Sequence, residues 1–378
     1  MDKRKRIGLV YNYNVNWIAG AYYIINIIQS LKTIEQSDLP EIVLFYQNEE
    51  GLDLVKNVNY PFIQYHQEKK ATNFVQKIVN KGFRLLKQPN YFYDKVATNL
   101  VSNIYPANWT DIRVKNNYFW IPDFQEDYYP NFFSQEEVKY RKDGQLKLSK
   151  TKENVVFSSN NAKADFVRLY PQHTNQLHVL PFASVVGDKY KSIKFQDLKV
   201  KYDIKAQYFI VPNQFWKHKN HLTVLKALNV FRKEQVNFQI LFTGNENDYR
   251  NVNYIEELKT YINDNDLQDF VNFLGFIDRD EQLLLIENSL AVLQPSLFEG
   301  WSTVVEDAKA LNKTVILSNL PIHKEQISAN VLFFEKMNEQ QLYSCIVMVL
   351  EGENTLQSIS YEKQIYDFGN KILSVLSQ

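Results

Sequence analysis

One cysteine in 378 residues, Cys345 in the apolar stretch LYSCIVMVL, rules out a disulfide framework within the chain and points to a reducing compartment. Neither sign of charge is in excess. Lys+Arg and Asp+Glu each number 43, so a surface built to hold nucleic acid is not indicated. No apolar run approaches the ~20 residues of a membrane span. The basic start, MDKRKRIGLVYNY, has an apolar core too short for a signal peptide. No G-x-G-x-x-G follows the first strand-like run, which argues against a nicotinamide-dependent dehydrogenase. A cytoplasmic setting is expected.

What is present fits a globular chain with more than one core. Hydrophobic residues make up 45% and charged residues 23%, and 378 residues favour two domains. Aromatics at 14% suit contact with sugar or lipid, and equally a Tyr- and Asn-rich codon bias. Apolar strand-like runs alternate with helical stretches. In the first half they lie at 6–13, 41–47, 118–122, 154–159 and 177–182; in the second at 208–213, 238–244, 271–276, 291–296, 314–319 and 331–334. Continuous apolar strands between helices predict parallel sheets covered on both faces. The expected fold is α/β, with two Rossmann-like doubly wound domains facing across a cleft: 1–190, then 207–355 after a polar linker at 185–206. An amphipathic helix within 356–378 is expected to pack back on the first domain. Ligands in such sheets bind beyond the carboxyl ends of the strands.

Three segments should line that cleft. In IVPNQFWKHKNHLTVLKAL (210–228), Asn220 reads as a helix cap, placing Lys217, His218 and Lys219 just before a helix N-terminus. Cations at a positive dipole end are unfavourable unless an anion joins them, and phosphate would serve; a solvated basic loop is the other reading. In NFLGFIDRDEQ (272–282), Gly275 allows close backbone approach or simply makes a turn, and Asp278-Arg279-Asp280 reads as helix capping rather than a metal site. In LFEGWSTVVEDAKAL (297–311), Thr303 and Glu306 match a capping box, whereas Glu299 beside Gly300 has no such explanation. Amides of Trp301 to Val304 are free to hold phosphate or a sugar hydroxyl.

EGWSTVVEDAKAL followed by SNLPIHKEQ, with PNQFWKHKNH upstream, resembles the family 4 glycosyltransferases of the GT-B fold, in their bacterial surface-polysaccharide branch. WIAGAYYIINIIQSL (17–31), WIPDFQEDYYPNFF (120–133), SSNNAKADFVRLYP (158–171) and HVLPFA (178–183) extend the likeness over most of the chain. The resemblance implies a retaining transfer from a nucleotide-diphosphate-sugar, without metal or cofactor, to a lipid-linked or oligosaccharide acceptor. It implies Glu299 on donor-sugar hydroxyls, Glu306 on ribose hydroxyls and Lys219 on the diphosphate. Amides at Ser302 and Thr303 would support the phosphates, and Gly20 would let the facing loop approach. Asn213, Lys217, His218, Gly275, Phe276, Gly300 and Trp301 complete the expected donor site. Asp123 joins Glu299 and Lys219 as a catalytic candidate, and His323 is either a capping group or a donor contact.

Four departures stand out. Six residues, not the usual seven, separate Glu299 from Glu306. Gln214 stands for the usual arginine, Glu126 for a histidine, and Ala19-Gly20 for a glycine pair. A sugar-nucleotide epimerase or hydrolase of the same fold, or a non-catalytic nucleotide-sugar-binding protein, are the alternatives. Residues 69–87 add six basic groups among apolar ones, fit for an anionic membrane surface or an ordinary solvated face.

Overall fold

The computed structural model describes residues 4–14, 18–67, 75, 78–79, 81–82, 100–107, 114–232, 237–246, 248 and 250–377. Most of the basic stretch at 69–87 falls outside them.

The first unit is a seven-stranded sheet of order β3-β2-β1-β4-β5-β6-β7, and every described pairing is parallel. Its strands are β1 (Arg6–Tyr11), β2 (Glu41–Tyr46), β3 (Ile63–Gln67), β4 (Asn103–Tyr105), β5 (Asn116–Ile121), β6 (Asn154–Phe157) and β7 (Gln176–Val179). Helices α1 (Ile18–Leu31), α2 (Leu52–Lys56), α3 (Gln125–Tyr128), α4 (Gln135–Ser149) and α5 (Asn160–Leu169) connect them. Ile7, Leu9, Ile42 and Leu44 are fully buried against the isoleucine-rich face of α1, as expected for a sheet covered by helices.

The second unit is six-stranded and also parallel, in the order β10-β9-β8-β11-β12-β13. Helix α6 (Phe195–Lys201) precedes β8 (Gln207–Pro212), α7 (His221–Phe231), β9 (Phe238–Thr243), α8 (Tyr254–Asp264) and β10 (Val271–Gly275). Then come α9 (Arg279–Asn288), β11 (Val292–Gln294), α10 (Thr303–Ala310), β12 (Val315–Ser318), α11 (Pro321–Gln326), β13 (Val331–Phe334) and α12 (Glu339–Leu350). Aromatic and branched side chains of β8, β9 and α7 form the core: Phe209, Val211, Phe242, Leu225 and Phe231 are all sealed from solvent.

Residues 185–206 are more than a linker. A 3-10 turn at Asp188–Ser192 and α6 bury Tyr190, Leu198 and Ile204 against Leu284 and Leu285 of α9, and Tyr190 donates to Glu287 at 2.7 Å. The last helix, α13 (Tyr361–Leu376), leaves the second unit and packs on α1. Gly369 makes this possible, since a Cβ there would lie 2.4 Å from the Ser30 carbonyl oxygen.

Candidate active site

The two sheets leave a cavity of 460 Å³ between them, lined by loops beyond the carboxyl ends of β1, β5, β6 and β7 on one side and β8, β9, β10 and β11 on the other. The two units touch at its wall, because a Cβ on Gly300 would come within 2.8 Å of the Asp123 Cβ and the Pro122 carbonyl oxygen. Trp301 fastens the same loop to the first unit through its indole N–H, which donates to the Phe182 carbonyl at 3.0 Å.

Glu299 stands beside that contact. Its Oε1 accepts from Ser296 Oγ at 2.6 Å, Gln294 Nε2 at 2.7 Å and Lys219 Nζ at 2.7 Å. Those three bonds fix the carboxylate in the cavity wall, and Oε2 takes no hydrogen bond among the described residues. Burial alone would raise its pKa, but the charge of Lys219 and these hydrogen bonds outweigh it, holding Glu299 ionised below the usual range. His323 is buried and pins Nδ1 on the Ser318 carbonyl at 2.7 Å, with Nε2 unpartnered among the described residues. Burial keeps it neutral, pulling its pKa down. Asp123, across the contact, is pushed the other way, chiefly by burial.

The cations before α7 divide. Lys219 lines the cavity, while Lys217 turns outward to Glu257 at 3.5 Å. His218 lies in the wall but its pKa is pushed well down by burial and by Lys219, so at neutral pH it offers a phosphate no charge. Asn220 takes a left-handed φ of 58° and its amide donates to the Pro295 carbonyl rather than capping α7. Asn213 lines the cavity while tied to Gln294 Oε1 at 2.7 Å.

Helix α10 starts one residue earlier than the sequence suggests. Ser302 is its cap, accepting from the Val305 amide, and the Thr303–Glu306 box does not form. The Ser302 amide is taken by Gln326 Oε1 at 3.2 Å, which removes it from the amides of Trp301 to Val304 that the cavity could use; Trp301, Thr303 and Val304 also line the wall. Glu306 faces away from the cavity. Its carboxylate is sealed among Lys309 at 2.9 Å, Gln326 at 2.9 Å and the Tyr361 hydroxyl at 2.5 Å. The carboxylate on the cavity wall is Asp307, which takes both terminal nitrogens of Arg279 and the Ser184 hydroxyl. Counted from Glu299, Asp307 falls at the seven-residue separation that Glu306 misses.

Phe276 lines the cavity and is 62% exposed, but Gly275 does not line it. The φ of Gly275 is +67°, and its carbonyl accepts from the Gly244 amide at 2.8 Å. The glycine at a close approach is Gly244, where a Cβ would meet the Asn213 carbonyl oxygen at 2.2 Å. Gly20 sits half-buried in the first turn of α1, and its neighbours Ile18 and Ala19 form the wall. Glu126 is buried against Gln145 and Arg141, away from the cavity. Asp278 caps α9 through the Asp280 amide at 2.8 Å, as its sequence context suggests.

Residues 194–365 match the family model described as glycosyl transferases group 1. The chain is a GT-B glycosyltransferase. This glycosyltransferase is 24% identical over 258 residues to the O-antigen chain mannosyltransferase RfbU of Salmonella typhimurium, covering 68% of this chain and 67% of that one. Among solved structures it resembles Anabaena HepE in complex with UDP and glucose, with a TM-score of 0.62 and 13% identity over 99% of this chain and 95% of that one. A glycosyltransferase from Rickettsia africae ESF-5 gives a TM-score of 0.60 and 15% identity over 99% and 94%. At such identities the structural likeness is one of fold.

Asp307, Arg279 as its partner, and Gly244 are among the wall groups of the glycosyltransferase that escape the sequence reading. Arg279 had a signal, being a lone cation between two aspartates in a segment expected at the cleft. Asp307 had one as well, in the seven-residue spacing.

Proposed function

We propose that this glycosyltransferase moves a sugar, with retention, from a nucleotide-diphosphate-sugar to a growing surface glycan. The observation that carries the reading is Glu299 in the cavity wall, locked by three hydrogen bonds on one oxygen, with no hydrogen bond to the other among the described residues. A fixed, ionised acceptor with one open oxygen suits a pair of sugar hydroxyls. Asp307 and Arg279, which line the cavity, are assigned to the ribose, and Lys219 with the first-turn amides of α10 to the diphosphate. HepE, which shares the fold, was solved with UDP and glucose, and the matched RfbU is an O-antigen chain mannosyltransferase. Both support a nucleotide-sugar donor and a glycan product.

In the reaction, an acceptor hydroxyl oxygen bonds to the anomeric carbon as the bond from that carbon to the diphosphate breaks. The hydroxyl proton passes to the departing phosphate oxygen, on the same face. The protein positions both substrates and stabilises charge growing on the phosphate. Lys219 serves that charge directly. Transfer is expected to survive EDTA, and its loss with recovery on added Mg²⁺ or Mn²⁺ would refute that part. No helix among the described residues is long and apolar enough to cross a membrane. The basic stretch at 69–87 is the proposed contact with anionic lipid, tested by vesicle sedimentation after charge reversal.

The deciding experiment is calorimetry with UDP, GDP, ADP and their sugars. Selective binding of one nucleoside diphosphate, with tighter binding of one of its sugars, supports the donor site. Binding of none overturns it.

A further inference from the structure

β11 lies between β8 and β12 in the interior of the second sheet, and its three residues are sealed from solvent. Val292 and Leu293 are aliphatic. Gln294 is an amide, and a buried amide costs stability unless its hydrogen bonds are made. Those of Gln294 reach three parts of the proposed donor site. Its Oε1 accepts from Asn213 Nδ2, just after β8, at 2.7 Å. Its Nε2 donates to Glu299 Oε1 at 2.7 Å. On the same nitrogen, Ser296 Oγ and Ser302 Oγ each stand at 3.3 Å, placed for the second proton. Ser302 is the cap of α10, the helix whose first-turn amides are assigned to the diphosphate.

The direction of this amide is dictated by charge. Glu299 is held ionised, and an ionised carboxylate can only accept. The NH₂ of Gln294 must therefore face Glu299, and its carbonyl must face Asn213. Of the three groups that donate to Glu299, Ser296 belongs to the loop after β11 and Lys219 to the turn before α7. Gln294 alone sits on a strand, so it ties the carboxylate to the most rigid part of the unit. Gln294 is itself fully buried and does not line the cavity, so it acts through Glu299 and Ser302.

We infer that Gln294 is a positioning residue for sugar transfer: it holds the Glu299 carboxylate in register with the cap of α10, so that the sugar and the diphosphate of one donor molecule meet their partners together. The inference rests on the reading of Glu299 and α10 as two ends of a donor site.

Gln294→Glu tests it. The variant keeps the shape and the bond from Asn213, but it turns a proton donor toward Glu299 into an acceptor. Two carboxylates at that distance resist joint ionisation and bind one proton between them. The other charged or titratable groups close to Glu299 are Lys219, His323 of α11 and Asp123 of the first unit. All three are common to parent and variant, so comparison at each pH isolates the new pair. Calorimetry from mildly acid to mildly alkaline pH uses UDP, GDP and ADP, and UDP-glucose, UDP-galactose, GDP-mannose and ADP-glucose. The quantity read is the ratio of nucleotide-sugar affinity to nucleoside diphosphate affinity. In Gln294→Glu it should match the parent in acid and fall about tenfold below it as pH rises, with the nucleoside diphosphate itself little affected. Gln294→Met, close in volume and unable to donate, should show the lower ratio at every pH, and it decides the matter if Gln294→Glu fails to fold by circular dichroism. A parent-like ratio at all pH in either variant overturns the inference. So does a loss in Gln294→Glu that ignores pH, which would make the damage one of packing. An equal fall in both affinities overturns it too, because Gln294 would then support the fold alone. A parent that binds none of these ligands, or only the nucleoside diphosphates, refutes the donor reading, and the inference falls with it.

Discussion

Breaking the Lys219–Glu299 pair from one side strands a charge in the cavity wall, where the side chains are only 13% and 8% exposed. Lys219→Ala should therefore cost ~3 kcal/mol of stability as well as donor affinity. Adding Glu299→Gln should recover much of the stability and none of the transfer, which urea unfolding and a sugar-transfer assay measure separately. Glu306 and Asp307 should separate as cleanly. Glu306→Gln is expected to cost ~1–3 kcal/mol, because Lys309 loses its buried partner, and to leave nucleoside diphosphate affinity alone. Asp307→Asn should also cost stability, because Arg279 loses its buried partner, and should in addition weaken that affinity roughly 10–100-fold by calorimetry. Adjacent acids on a helix differ by ~100° in direction, so placing the helix start one residue late is enough to choose the wrong one. The sequence shows two carboxylates at the mouth of α10; only the Ser302 cap decides which of them meets the cavity. Asp123 gives a pH prediction. Its folded pKa is raised, chiefly by burial, so the native state keeps a proton that the unfolded chain has lost. Stability should fall as pH rises through the window between the ordinary and the raised values. Asp123→Asn should remove that slope, gaining on the parent above the window and matching it below, as melting curves across pH would show.

At the scale of elements, the apolar strands were legible because each is a short run of branched and aromatic residues flanked by turn residues. β3 and β4 were not. IQYHQ is a half-exposed edge strand and NIY is three residues long, so neither carries the apolar signature of a buried parallel strand. The polar stretch at 185–206 hid its fold for a related reason: Tyr190, Leu198 and Ile204 are apolar anchors spaced too far apart to read as a run. The α13–α1 contact yields a test. Gly369→Ala places a Cβ against the Ser30 carbonyl and should cost ~1–3 kcal/mol of overpacking, read from the urea midpoint. An unchanged midpoint would show that the helices separate freely.

Over the whole molecule, the two-lobed plan was legible from alternation alone, whereas the contacts that set the gap between the lobes depend on pairs far apart in sequence. Glu325 of α11 is the clearest. Its two oxygens take the backbone and side-chain N–H groups of Asn160 and Asn161 at the start of α5, between 2.7 and 3.2 Å. Glu325→Ala should loosen this bridge, raising the radius of gyration of the nucleotide-free protein in X-ray scattering, with recompaction on adding nucleotide. The return of α13 to α1 has a consequence for synthesis. The chain leaves the ribosome from its N-terminus, so the second unit can be complete through Leu350 while the isoleucine-rich α1 still waits for its cover. The first lobe is begun before the second and is covered along α1 only after it, once α13 has emerged.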